Sequence, residues 1–274
     1  MNHFFADNPL LSAPNFTLPH LGLQWFNPPI ALTPWVQCFW HAHYSGASPS
    51  TQSETLHWDG GTALFIYFDQ SNLPRIMFNA LHRIQTISFN PNIDYLGIRF
   101  HPGGAFQLLN LPIIDLIDSS TEATLLKLPN IETLQLSLAD AHSSLARISL
   151  VEDWLLYLAK LHQPESGLVQ QLLPHLISAT NSVEDLVTQE NLHRRKLERV
   201  FQNEIGISPN KIKMLYRVKQ ARAMIKAAPE KSLTDIAMAT GFFDQAHFNR
   251  QFQQITGQTP GQYKKKKMSQ LYNP

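Results

Sequence analysis

The chain has 274 residues, enough for two or three domains, and its 43% apolar content is too high for a disordered chain. The net charge of +1, taken whole, argues against a nucleic-acid binder, but it hides a split. Residues 1–177 carry 6 Lys+Arg and 13 Asp+Glu, a net of −7, whereas residues 178–274 carry 16 and 8, a net of +8. A basic half of this kind points to an anionic partner. Cys38 is the only cysteine, which excludes an intramolecular disulfide and any metal site that needs two cysteine ligands, and it fits a reducing cytoplasm. No Lys or Arg precedes Arg75, so no secretory leader is expected, and the apolar stretch at 63–68 is too short to cross a bilayer. No membrane partner is expected.

Fourteen of the 18 prolines precede residue 178, so the first half should be loop-rich. Residues 1–34 show no clean period and read as irregular cover. Short β-branched and aromatic runs predict strands at 36–44, 62–68, 75–80, 84–89 and 95–100. Turn signals at Asp59-Gly60-Gly61 and Asn90-Pro91-Asn92 punctuate them, and His101-Pro102-Gly103-Gly104 closes the last. This texture suggests a small barrel or sandwich. Helical spacing follows at 105–109, 131–141, 150–161 and 168–178, with Trp154, Leu155, Leu158 and Leu161 on one face. Such helices pack on the barrel, on a second subunit, or on both.

The basic half contains a repeat. Ser182, Asp185, Leu186 and Asn191 meet Ser232, Asp235, Ile236 and Gly241 at an offset of 50. Leu197, Arg199, Phe201, Gly206 and Pro209 meet Phe248, Arg250, Phe252, Gly257 and Pro260 at an offset of 51, so the second copy has one extra residue in its turn. Each Ser-x-x-Asp pair starts a helix as a capping box does. Asn191 and Gly241 suit the left-handed turn that ends it. Asp244 is a good N-cap for the next helix, and its counterpart His193 is a poor one. Leu197, Val200 and Phe201 make a buried stripe that Phe248, Gln251 and Phe252 nearly reproduce. Helix, tight turn, helix is a unit whose second helix enters a major groove. Between the copies, 209–228 lacks Gly and internal Pro, and a helix of that length spans about 30 Å, close to one DNA turn. An all-helical domain with no ligand is the competing reading.

The stretch GFFDQAHFNRQFQQITGQTPGQYKK, with Gly241-Phe242, Asp244, His247-Phe248, Arg250, Phe252, Gly257 and Pro260, closely resembles the signature of AraC/XylS-type transcriptional regulators. The resemblance covers about 178–266; His193 and Asn191 depart from it where many members have a Ser cap and a Gly. It implies two helix-turn-helix units joined by a long helix. The first half, through Asp59-Gly60 and YLGIRFHPGGAFQLL at 95–109, more loosely resembles sensor-like domains found ahead of such modules, implying a cupin-like barrel with helices behind it. The expected fold is therefore α+β. Residues 1–104 form a β-rich sensor or regulatory domain, 105–177 a helical packing or dimerisation region, 178–267 the DNA-binding domain and 268–274 a tail.

The faces opposite the buried stripes nominate the DNA contacts. They are Arg194, Arg195, Glu198 and Arg199 on the first recognition helix, and Gln245, Ala246, His247, Asn249 and Arg250 on the second. Arg suits guanine, Glu cytosine N4, Gln and Asn adenine, and Ala a thymine methyl. Each has phosphate contact or solvation as its alternative, and Arg199 and Arg250 have bracing of their own unit. Lys211, Lys213, Arg217 and Lys219 on the connecting helix, and the run 264–267, are expected to attract phosphate or to stay solvated.

Double-stranded DNA is the expected partner, and RNA polymerase, a small-molecule effector and a second copy of the chain are further partners. No catalytic residue, metal or cofactor is expected. His41-x-His43 puts two imidazoles on one strand face, with His57 or His101 nearby, and keeps open a metal-dependent cupin-type enzyme. The acid nearest in sequence after them, Glu54, lies eleven residues beyond His43. A ligand-independent dimeric regulator is the other alternative. Cys38, amid Phe39 and Trp40, reads as a small buried hydrophobe.

Overall fold

In the computed structural model, residues 21–43, 51–56, 60–164, 167–178 and 182–272 are described. The first half forms β1 (Gln24–Phe26), β2 (Val36–His43), β3 (Gln52–Leu56), β4 (Ala63–Phe68), β5 (Arg75–Asn79), β6 (Gln85–Phe89), β7 (Asp94–Phe100) and β8 (Ser120–Glu122). Six of these make one sheet in the order β1-β2-β7-β4-β5-β8, and β3 pairs with β6 as a separate ribbon; every pairing is antiparallel. The five strands expected from periodicity are present. The additional strands β1, β3 and β8 lie where no strand is expected: in the irregular cover, between His43 and the Asp59 turn, and in the region expected to be helical. Their short or polar sequences carry no apolar alternation, so pairing with a neighbour decides them.

Strand alternation gives the sheet two apolar faces. Phe39, Leu64, Ile66, Ile76, Phe78, Leu96, Ile98 and Phe100 meet the helices α1 (Gly104–Leu109), α2 (Ile131–Ala139) and α3 (Ser144–His162). Trp154, Leu155 and Leu158 of α3 are buried there, while Leu161 is 51% exposed. On the other face Trp40, Ala42, Ala63, Phe65 and Tyr95 join Phe89 of the ribbon. Trp40 stands on Gly97, where a Cβ would lie 2.0 Å from its ring, and packs edge-on to Phe65 at 5.3 Å between centroids. Aromatic side chains thus fill this face.

The second half is helical: α4 (Leu168–Ile177), α5 (Val183–Gln189), α6 (Arg194–Ile205), α7 (Pro209–Ala227), α8 (Leu233–Ala239), α9 (Gln245–Thr256) and α10 (Pro260–Tyr272). Val169, Leu172, Leu173, Leu176 and Ile177 of α4 belong to the core of this half. The two cores therefore change hands between α3 and α4.

The halves are joined by more than the chain. Trp35 Nε1 donates to Gln107 Oε1 at 3.1 Å, Gln107 Nε2 donates to Glu204 Oε2 at 3.4 Å, and Gln170 Nε2 donates to the Pro34 carbonyl at 2.6 Å. Glu204, on α6, is only 8% exposed. Burial pushes its carboxyl up to about 7, against the opposing hydrogen bonds from Gln107 and the Val169 backbone. The first half thus grips the C-terminal end of α6.

Candidate nucleic-acid interface

Local chemistry builds each helix pair. Ser182 Oγ accepts from the Asp185 amide at 3.0 Å and Asp185 Oδ2 from the Ser182 amide at 2.8 Å, a complete capping box. Ser232 caps α8 by accepting from the Asp235 amide, and its hydroxyl donates to Asp235 Oδ2 at 2.6 Å. Asn191 (φ 49°) and Gly241 (φ 77°) make the left-handed turns. Asp244 Oδ1 accepts from the His247 amide at 2.6 Å, whereas His193 gives α6 no side-chain cap. Gly206 (φ 82°) and Gly257 (φ 76°) end α6 and α9. Ser208 then caps α7, with Pro209 at its first position.

Leu197, Phe201, Phe248 and Phe252 are fully buried, and Phe242 extends the second stripe with its ring 5.0 Å from that of Phe248. Arg194, Arg195, Arg199, Gln245, Ala246 and Arg250 are exposed on the outer faces, with Glu198, His247 and Asn249 half-buried beside them. Arg194 hydrogen-bonds Glu184 of α5 and donates to Glu198 Oε1 at 3.2 Å, so it braces its own unit. Arg195 and Arg199 make no ion pair among the described residues. Gln245 Oε1 accepts from Thr234 at 3.3 Å, and the His247 ring lies edge-on to Phe242.

The connecting helix departs from the sequence reading. It is the centre of the domain, packed by α4, α6, α8, α9 and α10. Lys213 is only 7% exposed, and burial together with the charge of Arg217 lowers its pKa, partly offset by Asp185 and Glu184. Arg217 is lowered by burial too. Lys213 is thus an internal cation of α7 and not an outward phosphate contact. Within the run 264–267, Lys264 Nζ donates to the Lys231 carbonyl at 2.7 Å, Lys265 and Lys266 are exposed on α10, and the Lys267 side chain lies outside those described.

Sequence reasoning passed over Phe243. It is the extra residue of the second turn, and it is 93% exposed immediately before the cap of α9. The residue before an N-cap usually staples to the fourth helical position. Here Phe242 makes that contact to Phe248, which leaves Phe243 turned outward.

The histidine pair of the first half belongs to another arrangement. His41 and His43 share a strand face, but the acid they meet is Asp94, on the paired strand. His41 Nε2 lies 3.8 Å from Asp94 Oδ1, and His43 Nδ1 hydrogen-bonds the same oxygen. Arg147 of α3 donates to Asp94 Oδ2 at 2.7 Å, and its guanidinium lies 3.6 Å from the centre of the Phe68 ring. Burial alone would raise the Asp94 carboxyl, yet the hydrogen bonds from Arg147 and His43 hold it below the usual range. Burial lowers His41, with Asp94 opposing. A guanidinium sits on the one carboxylate of the set, which suits a strand-to-helix clamp better than a cation site. Among the described residues no group of three or more His, Cys, Asp or Glu is placed to hold a metal, and no helix is long and apolar enough to cross a membrane. His57 lies outside the described residues.

Residues 186–266 match the family described as a helix-turn-helix domain, and residues 24–122 match a domain of unknown function, DUF6597. The chain is 29% identical over 84 residues to the HTH-type transcriptional regulator MtrA of Neisseria gonorrhoeae, covering 31% of this chain and 28% of MtrA. It is 26% identical over 99 residues to the HTH-type transcriptional regulator GbdR of Pseudomonas aeruginosa, covering 36% and 27%. It thus spans little more than a quarter of the length of these regulators. Among solved structures, ToxT of Vibrio cholerae aligns at 12% identity with a TM-score of 0.38, covering 78% of this chain and 98% of that one.

Proposed function

We propose that the chain, whose residues 186–266 are an AraC-type helix-turn-helix domain, is a cytoplasmic, sequence-specific DNA-binding transcriptional regulator. It seats α6 and α9 in successive major grooves of one duplex and carries out no enzymatic step. The observation that supports this most is the pair of exposed polar faces on α6 and α9, whose units are joined by a 19-residue helix. That helix rises about 28 Å, against about 34 Å for a DNA turn. Arg195 and Arg199 would bind guanine O6 and N7, Gln245 and Asn249 would read adenine, and Ala246 would meet a thymine methyl. Arg194 and Glu198 would exchange their mutual pair for base contacts, at small cost because exposed ion pairs are weak. Phe243 would lie against thymine methyls or sugar faces at the mouth of the second groove. Lys265 and Lys266 would add a salt-dependent phosphate term.

A mobility-shift series with Arg195→Ala tests the assignment. Reading a base, Arg195 supplies about 1–3 kcal/mol of discrimination at one half-site. A uniform loss across all sequences would instead make it a phosphate contact. If the folded wild-type chain shows no sequence-selective binding in a genome-wide selection, the function is wrong.

The reading in which the first half works without a small-molecule effector draws support from Trp40, which occupies the space above Gly97. On that reading the first half positions the DNA-binding domain and offers a surface to a second copy or to RNA polymerase. A thermal-shift screen with metabolites separates the two, since a ligand of the native state raises apparent stability. No shift with any metabolite supports the effector-free form, and a specific shift overturns it.

A further inference from the structure

One short loop of the first half touches the ends of both recognition helices. Residues 80–84 connect β5 to β6, and 81–84 are the part beyond the Ala80 bridge. His82 Nε2 lies 3.0 Å from the Ile205 carbonyl, the last residue of α6, so that nitrogen carries the proton and donates to a carbonyl that the helix itself leaves unpaired. A Cβ at Gly206 would lie 2.7 Å from His82 Cε1 and 2.7 Å from Ile117 Cγ1. Two residues further along, a Cβ at Gly257 would lie 3.2 Å from Ile84 Cδ1. The two glycines that cap α6 and α9 are thus the two places where this loop approaches; at Gly206 a side chain would clash, and at Gly257 it would press on the tip of Ile84.

The loop is itself held. Asp118 Oδ1 accepts from the His82 amide at 2.9 Å, and the Asp118 amide donates to the Ala80 carbonyl at 2.8 Å. Ala80 also bridges to Ile117. A connection pinned at both Ala80 and His82 resists sliding along the helix ends. Meanwhile the DNA-facing residues Arg195, Arg199, Gln245 and Arg250 stay exposed. The contact therefore leaves the reading faces uncovered and links the ends of the two helices through one loop.

We propose that loop 81–84 is a positioning bracket that sets the separation of α6 and α9, and with it the half-site spacing the protein accepts on DNA. His82 and Ile84 are the positioning residues, acting through the glycine ends of the helices and not through DNA. The inference rests on the proposed DNA-binding function. It implies that spacing specificity resides partly in the β-rich half, although base specificity resides in the helical half.

The test uses the full chain and the site it selects from random duplex DNA, rebuilt with one base pair inserted or deleted between the half-sites. Wild type should lose on the order of tenfold in affinity for either altered spacing, as for a mismatch. Ile84→Ala, which removes the grip on α9 alone, and Ile84→Ala with His82→Ala should reduce that penalty to about threefold or less. Both should keep the same base preference within each half-site. If the double variant fails to fold, Ile84→Ala decides by itself, because its site is half-buried and the His82 contact remains. An unchanged spacing penalty in a folded variant overturns the bracket, whatever happens to overall affinity. Absence of any selected site for wild type overturns the DNA-binding reading instead, so the two failures are distinct.

Discussion

Position for position, α6 carries Arg194, Arg195, Glu198 and Arg199 where α9 carries Gln245, Ala246, Asn249 and Arg250. Their buried sides are near copies: Leu197 and Phe201 against Phe248 and Phe252, each ending at a left-handed glycine. Their C-terminal ends differ again, because Glu204 faces the first half of the chain where Ile255 stays in the helical core. Packing thus holds the two units to one plan, while their outward faces differ in chemistry. The first presents charge and gives the β-rich half a buried carboxylate to hold as well as a helix end. The second presents amides and an outward phenyl ring.

The deepest test of this likeness is Phe201→Ala against Phe252→Ala. Both rings are fully buried, so each change should cost about 3–5 kcal/mol in urea unfolding. A large inequality would show that the units are less alike inside than their burial implies.

Glu204 tests the difference between the ends. Its carboxyl is raised from 4.5 to about 7 by burial, so the folded state binds its proton more tightly than the unfolded chain does. The associated stability is full below about pH 4.5 and is lost as pH rises through about 7, a change on the order of 3 kcal/mol at most. Melts at pH 5 and pH 8.5 should show wild type weakening relative to Glu204→Gln at the higher pH. A constant gap between the two proteins would contradict a buried, proton-holding Glu204.

The helix starts give the smallest contrast. Asp244→Ala should cost about 1 kcal/mol because α9 loses its cap, while His193→Asp should stabilise α6 by a similar amount. Thermal unfolding reads both, and a loss from His193→Asp would mean that His193 already serves α6 in another way.

What was legible in the sequence is local. Ser182, Asp185, Asp244, Gly206, Gly257 and the apolar stripes act within a turn or two of the chain, so spacing alone reports them. What was not legible depends on distant partners. Lys213 reads as an outward cation until the other helices close around α7. The shared face of His41 and His43 is visible in the strand pattern, but their partners are not: β7 brings Asp94 and α3 brings Arg147. β1, β3 and β8 are too short or too polar to announce themselves. Glu204 becomes unusual only when Gln107 and α4 cover it. Phe243 is the exception: the one-residue surplus in the second turn marked its place, and only its outward orientation needed the structure.

The most direct measurement is selection of random duplex DNA by the full-length chain. The account predicts an asymmetric site of two half-sites about one helical turn apart, roughly 10 base pairs. The half read by Arg195 and Arg199 should be rich in G·C pairs, and the half read by Gln245, Ala246 and Asn249 should be rich in A·T pairs. A single half-site, two identical half-sites, or no enrichment from folded protein would contradict it.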